Sequence, residues 1–295
     1  MILVEKPGLF STIQDIGRHG YQQFGVVVSG AMDPLAHQLS NILVGNPPSE
    51  TTIEITMSGP TLTFFSDCVI AICGGEFQAS IENQSIPMWR TIYVRKNSTL
   101  KIGPTLKGAR GYIAISGGID VPNQLNSKST YIKANLGGLK GRPLQKNDIL
   151  HIGNEADLNK KIKKSLCSSP SHFSLMKQSI SPNVYTYITD RSIQFTKGIH
   201  YDWLHQNAKT LMQSNCFTVT PQSNRMGYQL DGPNLLLNKK QEVLSTAVNV
   251  GTIQVLPSGK PIILLADRQT TGGYPMIGQV SLADLPKLAQ TRIGE

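Results

Sequence analysis

Four short segments concentrate the groups that could do chemistry in this chain. Residues 11–33 read STIQDIGRHGYQQFGVVVSGAMD, where Gln14, Asp15, Arg18, Ser29 and Asp33 bring donors, acceptors and both signs of charge into one stretch. Its glycines permit unusual backbone angles. Residues 116–131, SGGIDVPNQLNSKSTY, carry Asp120 and Ser129, and residues 223–227, SNRMG, set Asn224 and Arg225 beside a glycine. Residues 267–274, DRQTTGGY, hold Gln269, Thr270, Thr271, Gly272, Gly273 and Tyr274. An arginine can grip a carboxylate or phosphate with two parallel hydrogen bonds, and successive N–H groups of a Thr-Thr-Gly-Gly turn can form an anion-binding concavity. Taken singly, each segment also reads as a rigid turn whose side chains bond their own backbone. Four of them in one chain favour an oxyanion site.

Two carboxylates are candidates for a general base. Glu54 stands in the apolar run TIEIT and Asp120 in the glycine-rich GGID, contexts in which burial would raise a carboxyl pKa. Tyr274 and Tyr131 could donate to a developing oxyanion. Standard signatures are missing: GPTLKGAR at 103–110 has the glycine spacing of a phosphate loop without its Lys-Ser/Thr ending, and no G-x-S-x-G, H-E-x-x-H or paired Cys/His cluster occurs. No metal site is expected, and His19 and His37 are lone histidines.

The elements that must position these groups are mostly strands. At 295 residues the chain has room for two domains, and 39% hydrophobic against 16% charged residues, with 27 Gly and 17 Pro, excludes disorder and a helical bundle. Short β-branched runs predict strands at Thr61–Phe65, Cys68–Cys73, Thr91–Arg95, Thr99–Ile102, Gly111–Ser116 and Ile149–Ile152. Thr252–Leu256 and Pro261–Ala266 flank Pro257-Ser258-Gly259-Lys260 as a hairpin. Three helices are expected. One starts from Asp33 as cap and Pro34, with Leu35, Leu39, Ile42 and Leu43 inward; the others span Trp203 to Gln213 and begin at Asp284. The domains are then 1–156 and 183–295, joined by a basic Ser/Pro-rich linker at 157–182 that lacks a hydrophobic period. That linker holds Lys160, Lys161, Lys163 and Lys164, four of the nine net positive charges, so the basicity does not mark a nucleic-acid surface. Cys68, Cys73, Cys167 and Cys216 form no C-x-x-C pair and are expected to be reduced. With neither a signal-like apolar run at the start nor a stretch long enough to span a bilayer, a cytoplasmic protein is expected.

STIQDIGRHGY, SGAMDPLA, NILVGN, GGIDVP, SNRMG and DRQTTGGYP, in this order, make the sequence resemble the biotin-dependent carboxyltransferase-related family, also called the allophanate hydrolase subunit 2 family, along almost its whole length. The resemblance implies a mainly β fold of two cyclophilin-like, barrel-like domains with a few short helices. It also implies partner proteins and a composite active site. The activity it implies is ATP-dependent ring opening of 5-oxo-L-proline to L-glutamate, with this chain as the third component of a hetero-oligomer. Its partners would be an ATP-using first component and a second component homologous to a kinase inhibitor. No cofactor is expected on this chain itself. On this reading Arg225, Gln269, Thr270, Thr271 and the Gly272-Gly273 amides cradle an activated lactam. Two alternatives stand beside it: a biotin-dependent carboxyltransferase acting on urea or a related amide, and a regulatory protein that antagonises a histidine-kinase inhibitor. Biotin belongs only to the first of these, and LMKQ at 175–178 lacks the flanking strands of a biotin-attachment hairpin. Two departures from the family pattern concern the site: SKST at 127–130 has Lys128 where an arginine is usual, and FTKGIH at 195–200 replaces a Gly-Pro turn. Relatives usually run some tens of residues past the position of Glu295, so a final strand is expected to be absent or to come from a partner.

Overall fold

The computed structural model describes residues 1–167, 171–238 and 243–295. Two antiparallel sheets organise the chain. The first has eleven strands, and its spine is the pair Cys68–Ile81 and Thr99–Ile115, which run against each other for most of their length. The two strands expected at 99–102 and 111–116 are thus one. The Gly/Pro-containing stretch between them stays in the ladder through register shifts, and Gly74, at φ +99°, lies where a Cβ would come within 2.4 Å of the Arg110 carbonyl oxygen. Ile2–Lys6, Thr61–Phe64 and Ile149–Ile152 extend the sheet on one side, and Thr52–Thr56 joins Phe10–Gln14 to the spine. Ile53, Ile55, Ile70, Ile72, Ile113 and Ile115 fill its core.

The second sheet has six strands, in the order Phe195–Lys197, Met276–Val280, Thr252–Val255, Pro261–Leu264, Gly227–Asp231, Thr218–Val219. It contains the expected hairpin, with Gly259 at φ +82° in the turn. The mainly β class is as expected. The barrel closure is not found: among the described residues, neither strand order returns on itself. No helix of the described residues is long and apolar enough to cross a membrane, and all four cysteines are free thiols.

The segment expected as a bare linker is structured on both sides of residues 168–170. Asp157–Leu166 is a helix, and Phe173–Ser179 pairs with Arg90–Val94 in the first sheet. The helix escaped the hydrophobic-period test because it docks partly through a polar side chain: buried Asn159 donates to the Val44 carbonyl at 2.7 Å and to Asn46 Oδ1 at 2.9 Å, beside Ile162. The chain leaves the first sheet after Ser179 and crosses to the second through the 3-10 turns of Pro182–Thr189.

Helix Pro34–Leu43 starts as predicted, with Asp33 Oδ1 accepting from the Ala36 N–H at 3.0 Å. Its inward face differs. Ala36, His37, Ser40 and Asn41 are buried, whereas Leu35 and Ile42 are exposed. The polar face wins because it bonds the loop beyond the helix and the strand that follows: Asn41 donates to the Glu50 carbonyl at 2.7 Å, and His37 Nδ1 lies 2.9 Å from Thr52 Oγ1. Gln206–Ser214 and Leu285–Gln290 realise the other two helices, each preceded by a 3-10 turn.

Candidate functional site

All four polar segments meet between the two sheets. Asp15 fixes the second segment to the first: its Oδ1 accepts from the Gly17 N–H and from the Ser127 and Ser129 hydroxyls, and its Oδ2 accepts from the Lys128 N–H at 2.6 Å. Gln14 Nε2 reaches the Thr130 carbonyl, and Arg18, fully buried, gives Nη2 to the Ser129 carbonyl. The third segment enters through Arg225, whose Nη2 donates to the Gly30 carbonyl at 2.7 Å and whose Nε and Nη2 engage both oxygens of Asp267 at 2.8 and 3.0 Å. The fourth segment is also tied directly to the first. Gln22 Nε2 donates to the Val248 and Thr270 carbonyls, and the Ser29 N–H donates to the Ala266 carbonyl. Beside this junction lies a cleft of about 770 Å³, with His19, Gln22 and Ser29 on one wall and Asn249, Arg268 and Gln279 on the other. A shallower depression at Thr270 and Thr271 shares Gln22 and Asn249 with it.

A family model for the carboxyltransferase domain, subdomains A and B, matches residues 24–295. The chain belongs to this carboxyltransferase family. It is 36% identical over 284 residues to the C component of the 5-oxoprolinase of Haemophilus influenzae, a match spanning 96% of this chain and 85% of the relative. The protein of the same name from Escherichia coli is 33% identical, over 100% of this chain and 89% of its own. A urea amidolyase of Saccharomyces cerevisiae is 32% identical over the whole chain, which takes up 16% of that protein. Among solved structures, the Kluyveromyces lactis urea carboxylase superposes with a TM-score of 0.87 at 30% identity, covering 99% of this chain and 26% of the other. TTHA0988 superposes with a TM-score of 0.81 at 30% identity, so that this chain spans 54% of that one.

In this member of the family most of the proposed residues fall into three groups. Glu54 and Arg225 belong together, but as a buried ion pair rather than as base and substrate clamp. Glu54 Oε1 accepts from Arg225 Nη1, and Oε2 accepts from the Tyr112 hydroxyl and the Met32 N–H, each at 2.8 Å. Burial pushes the Glu54 pKa up, but Arg225, Arg110 and these hydrogen bonds outweigh it and hold the carboxyl below its usual range. A fixed carboxylate of that kind is a poor proton acceptor. The expectation that burial raises its pKa fails because the counter-charge comes from a residue 171 positions away.

Asp33, Asp15, Gln14 and Ser129 form the second group, which holds the junction together. Asp33 Oδ2 accepts from the Tyr187 hydroxyl at 2.7 Å and from Gln290 Nε2 at 2.8 Å, joining the helix Pro34–Leu43 to the last helix of the chain. Burial raises its pKa to about 6, against the opposing pull of these bonds. A raised carboxyl pKa means that the folded state binds the proton more tightly than the unfolded chain does. Its contribution therefore favours folding at low pH and is withdrawn as pH climbs from the ordinary carboxyl range through about 6. Between pH 5 and 7 the wild type should lose on the order of 1 kcal/mol relative to Asp33→Asn, read from urea unfolding at each pH. Parallel pH profiles for the two proteins would contradict this assignment.

The third group does not assemble as expected. Asp120 is exposed on the short strand Ile119–Asp120, opposite His151 and outside the junction. Thr271–Gly272 is a strand paired with Thr246–Ala247, and neither Gly272 nor Gly273 has a positive φ, so the segment forms no N–H concavity. Asn224 Oδ1 accepts from the Met226 N–H within its own turn, and Tyr274 is exposed with its carbonyl bonded to Gln254. Gln269 is half-buried beside Thr270.

Several residues at the junction lay outside the candidate set. Tyr112 sits in an apolar strand, and Gln290 Oε1 accepts from the Ala109 and Arg110 N–H groups at 3.0 and 3.1 Å. Arg110 Nη1 reaches the Tyr228 hydroxyl at 2.6 Å and the Ala289 carbonyl at 2.7 Å. No local spacing marks these partners. Asp267 and Arg268, by contrast, lie inside a quoted segment, and their charge was a usable signal.

Proposed function

We propose that this chain is the third component of an ATP-dependent assembly that opens 5-oxo-L-proline to L-glutamate in the cytoplasm. One observation carries the reading: two relatives, 36% and 33% identical along 96% and 100% of this chain, are named as the C component of 5-oxoprolinase. A lactam carbonyl is a poor electrophile. Phosphorylation of its oxygen by the ATP-using component creates a leaving group, after which water adds to the carbon while donors stabilise the developing anion. This chain then supplies, with the kinase-inhibitor homologue as its partner, the cleft between the sheets in which the activated ring is held. ATP is used by the first component, and no cofactor is assigned to this chain.

Affinity purification from native cells, followed by a 5-oxoproline-dependent ATPase assay on the eluate, tests the reading. Recovery of both partners with ATP hydrolysis that depends on 5-oxoproline is expected; recovery of the chain without them would oppose it. The TM-score of 0.87 to a urea carboxylase favours a second reading, carboxyl transfer from carboxybiotin to urea or a related amide. That reading requires a biotin carrier in the same eluate.

A further inference from the structure

Asp267 and Arg268 are neighbours with different fates. Asp267 gives both oxygens to Arg225, while Arg268 donates Nε to the Val248 carbonyl at 3.3 Å and has no carboxylate partner among the described residues. The Arg268 residue is only 7% exposed, and burial without a compensating anion lowers its pKa. A buried cation lacking a counter-charge is costly to the fold, and a ligand that supplies the missing charge offsets that cost. Arg268 lies on the wall of the cleft between the sheets.

Ser29 adjoins the same cleft, but its Oγ is enclosed within the protein, with no hydrogen-bond partner among the described residues. Its backbone is held at φ +58°, a left-handed angle that serine adopts only at a cost, by the bond from its N–H to the Ala266 carbonyl at 3.1 Å. No aspartate or glutamate among the described residues lines the cleft, and Val28, Met32, Leu265 and Val280 give it apolar surfaces. Arg18 also keeps Nε and Nη1 without partners among the described residues, but it is enclosed behind Gly137 and is not on the cleft wall.

We propose that Arg268 forms a carboxylate subsite in this cleft, which takes a small monocarboxylate with a compact apolar body. One guanidinium matches a single carboxylate, and the apolar surfaces match a five-membered ring better than a bare phosphate. The choice of 5-oxo-L-proline as that ligand rests on the function proposed above. The subsite then holds the part of the substrate that does not react and leaves the lactam carbonyl free for activation.

Binding to the full chain, measured by titration calorimetry or ligand-observed NMR, tests this with four probes: 5-oxo-L-proline, cyclopentanecarboxylate, 2-pyrrolidone and inorganic phosphate. The two carboxylates should bind at least tenfold more tightly than 2-pyrrolidone or phosphate. Arg268→Met should weaken carboxylate binding roughly 10- to 100-fold. Without ligand, Arg268→Met should unfold at the same midpoint as the wild type or a higher one, which would not follow from a structural role. Equal binding of 2-pyrrolidone or phosphate, no carboxylate binding, unchanged affinity in Arg268→Met, or failure of that variant to fold would each overturn the subsite. Carboxylate binding lost in Arg268→Met, in an assembly that does not turn over 5-oxoproline, would sustain the subsite and sink the proposed function. Full turnover with Arg268→Met would do the reverse.

Discussion

Replacing Arg225 by methionine should cost about 3–5 kcal/mol of folding stability, the scale expected when one member of a buried ion pair is removed and its partners stay charged. Glu54 and Asp267 would both be stranded: the Glu54 side chain is 0% exposed and that of Asp267 10%, and among the described residues their only cation in direct contact is Arg225. Loss of the Nη2 bond to the Gly30 carbonyl would also release the loop that carries Ser29 and Asp33. A compensation experiment separates this account from a generic packing defect. Adding Glu54→Gln and Asp267→Asn to Arg225→Met removes the stranded charges, and most of the lost stability should return in urea unfolding. If the triple variant is no more stable than Arg225→Met alone, the charge argument fails. If Arg225→Met unfolds like the wild type, the clamp itself fails.

Gln290→Leu should be the second large effect, about 2–4 kcal/mol, because one amide side chain serves four bonds in a region without solvent. Leucine keeps the approximate volume but orphans the Ala109 and Arg110 N–H groups, and it removes a donor from Asp33 and from the Arg110 carbonyl. These bonds dock the helix Leu285–Gln290 on the strand Thr99–Ile115. The two sheets should therefore lose coupling, and the variant should unfold in two transitions where the wild type shows one. A single transition with less than about 1 kcal/mol of destabilisation would show that the docking does not depend on this residue.

The sequence made the repeated local patterns legible and the distant pairings not. Alternating β-branched runs and a glycine turn identify the hairpin around Gly259, and the Asp33-Pro34 start identifies its helix, because each rests on residues a few positions apart. The Glu54–Arg225 pair spans 171 residues and the Asp33–Gln290 bond 257, so no spacing rule reaches them. Arginine in a glycine-flanked SNRMG looks like a ligand clamp until its counter-charges are known. The same limit explains the helix Asp157–Leu166, whose docking uses Asn159, and the strand Thr271–Gly272, whose partner Thr246–Ala247 no hairpin turn announces. The four polar segments meet in the structure, since dense polar side chains beside glycines are costly to keep except where they bond one another or a ligand. Arg225 links three of the four, through Gly30 and Asp267.

The proposed function can be tested most directly by reconstituting the three purified components and following ATP-dependent release of glutamate from 5-oxo-L-proline with and without this chain. The account predicts that turnover requires the chain and falls at least 100-fold on its omission. Glutamate release that continues unchanged without the chain would contradict it.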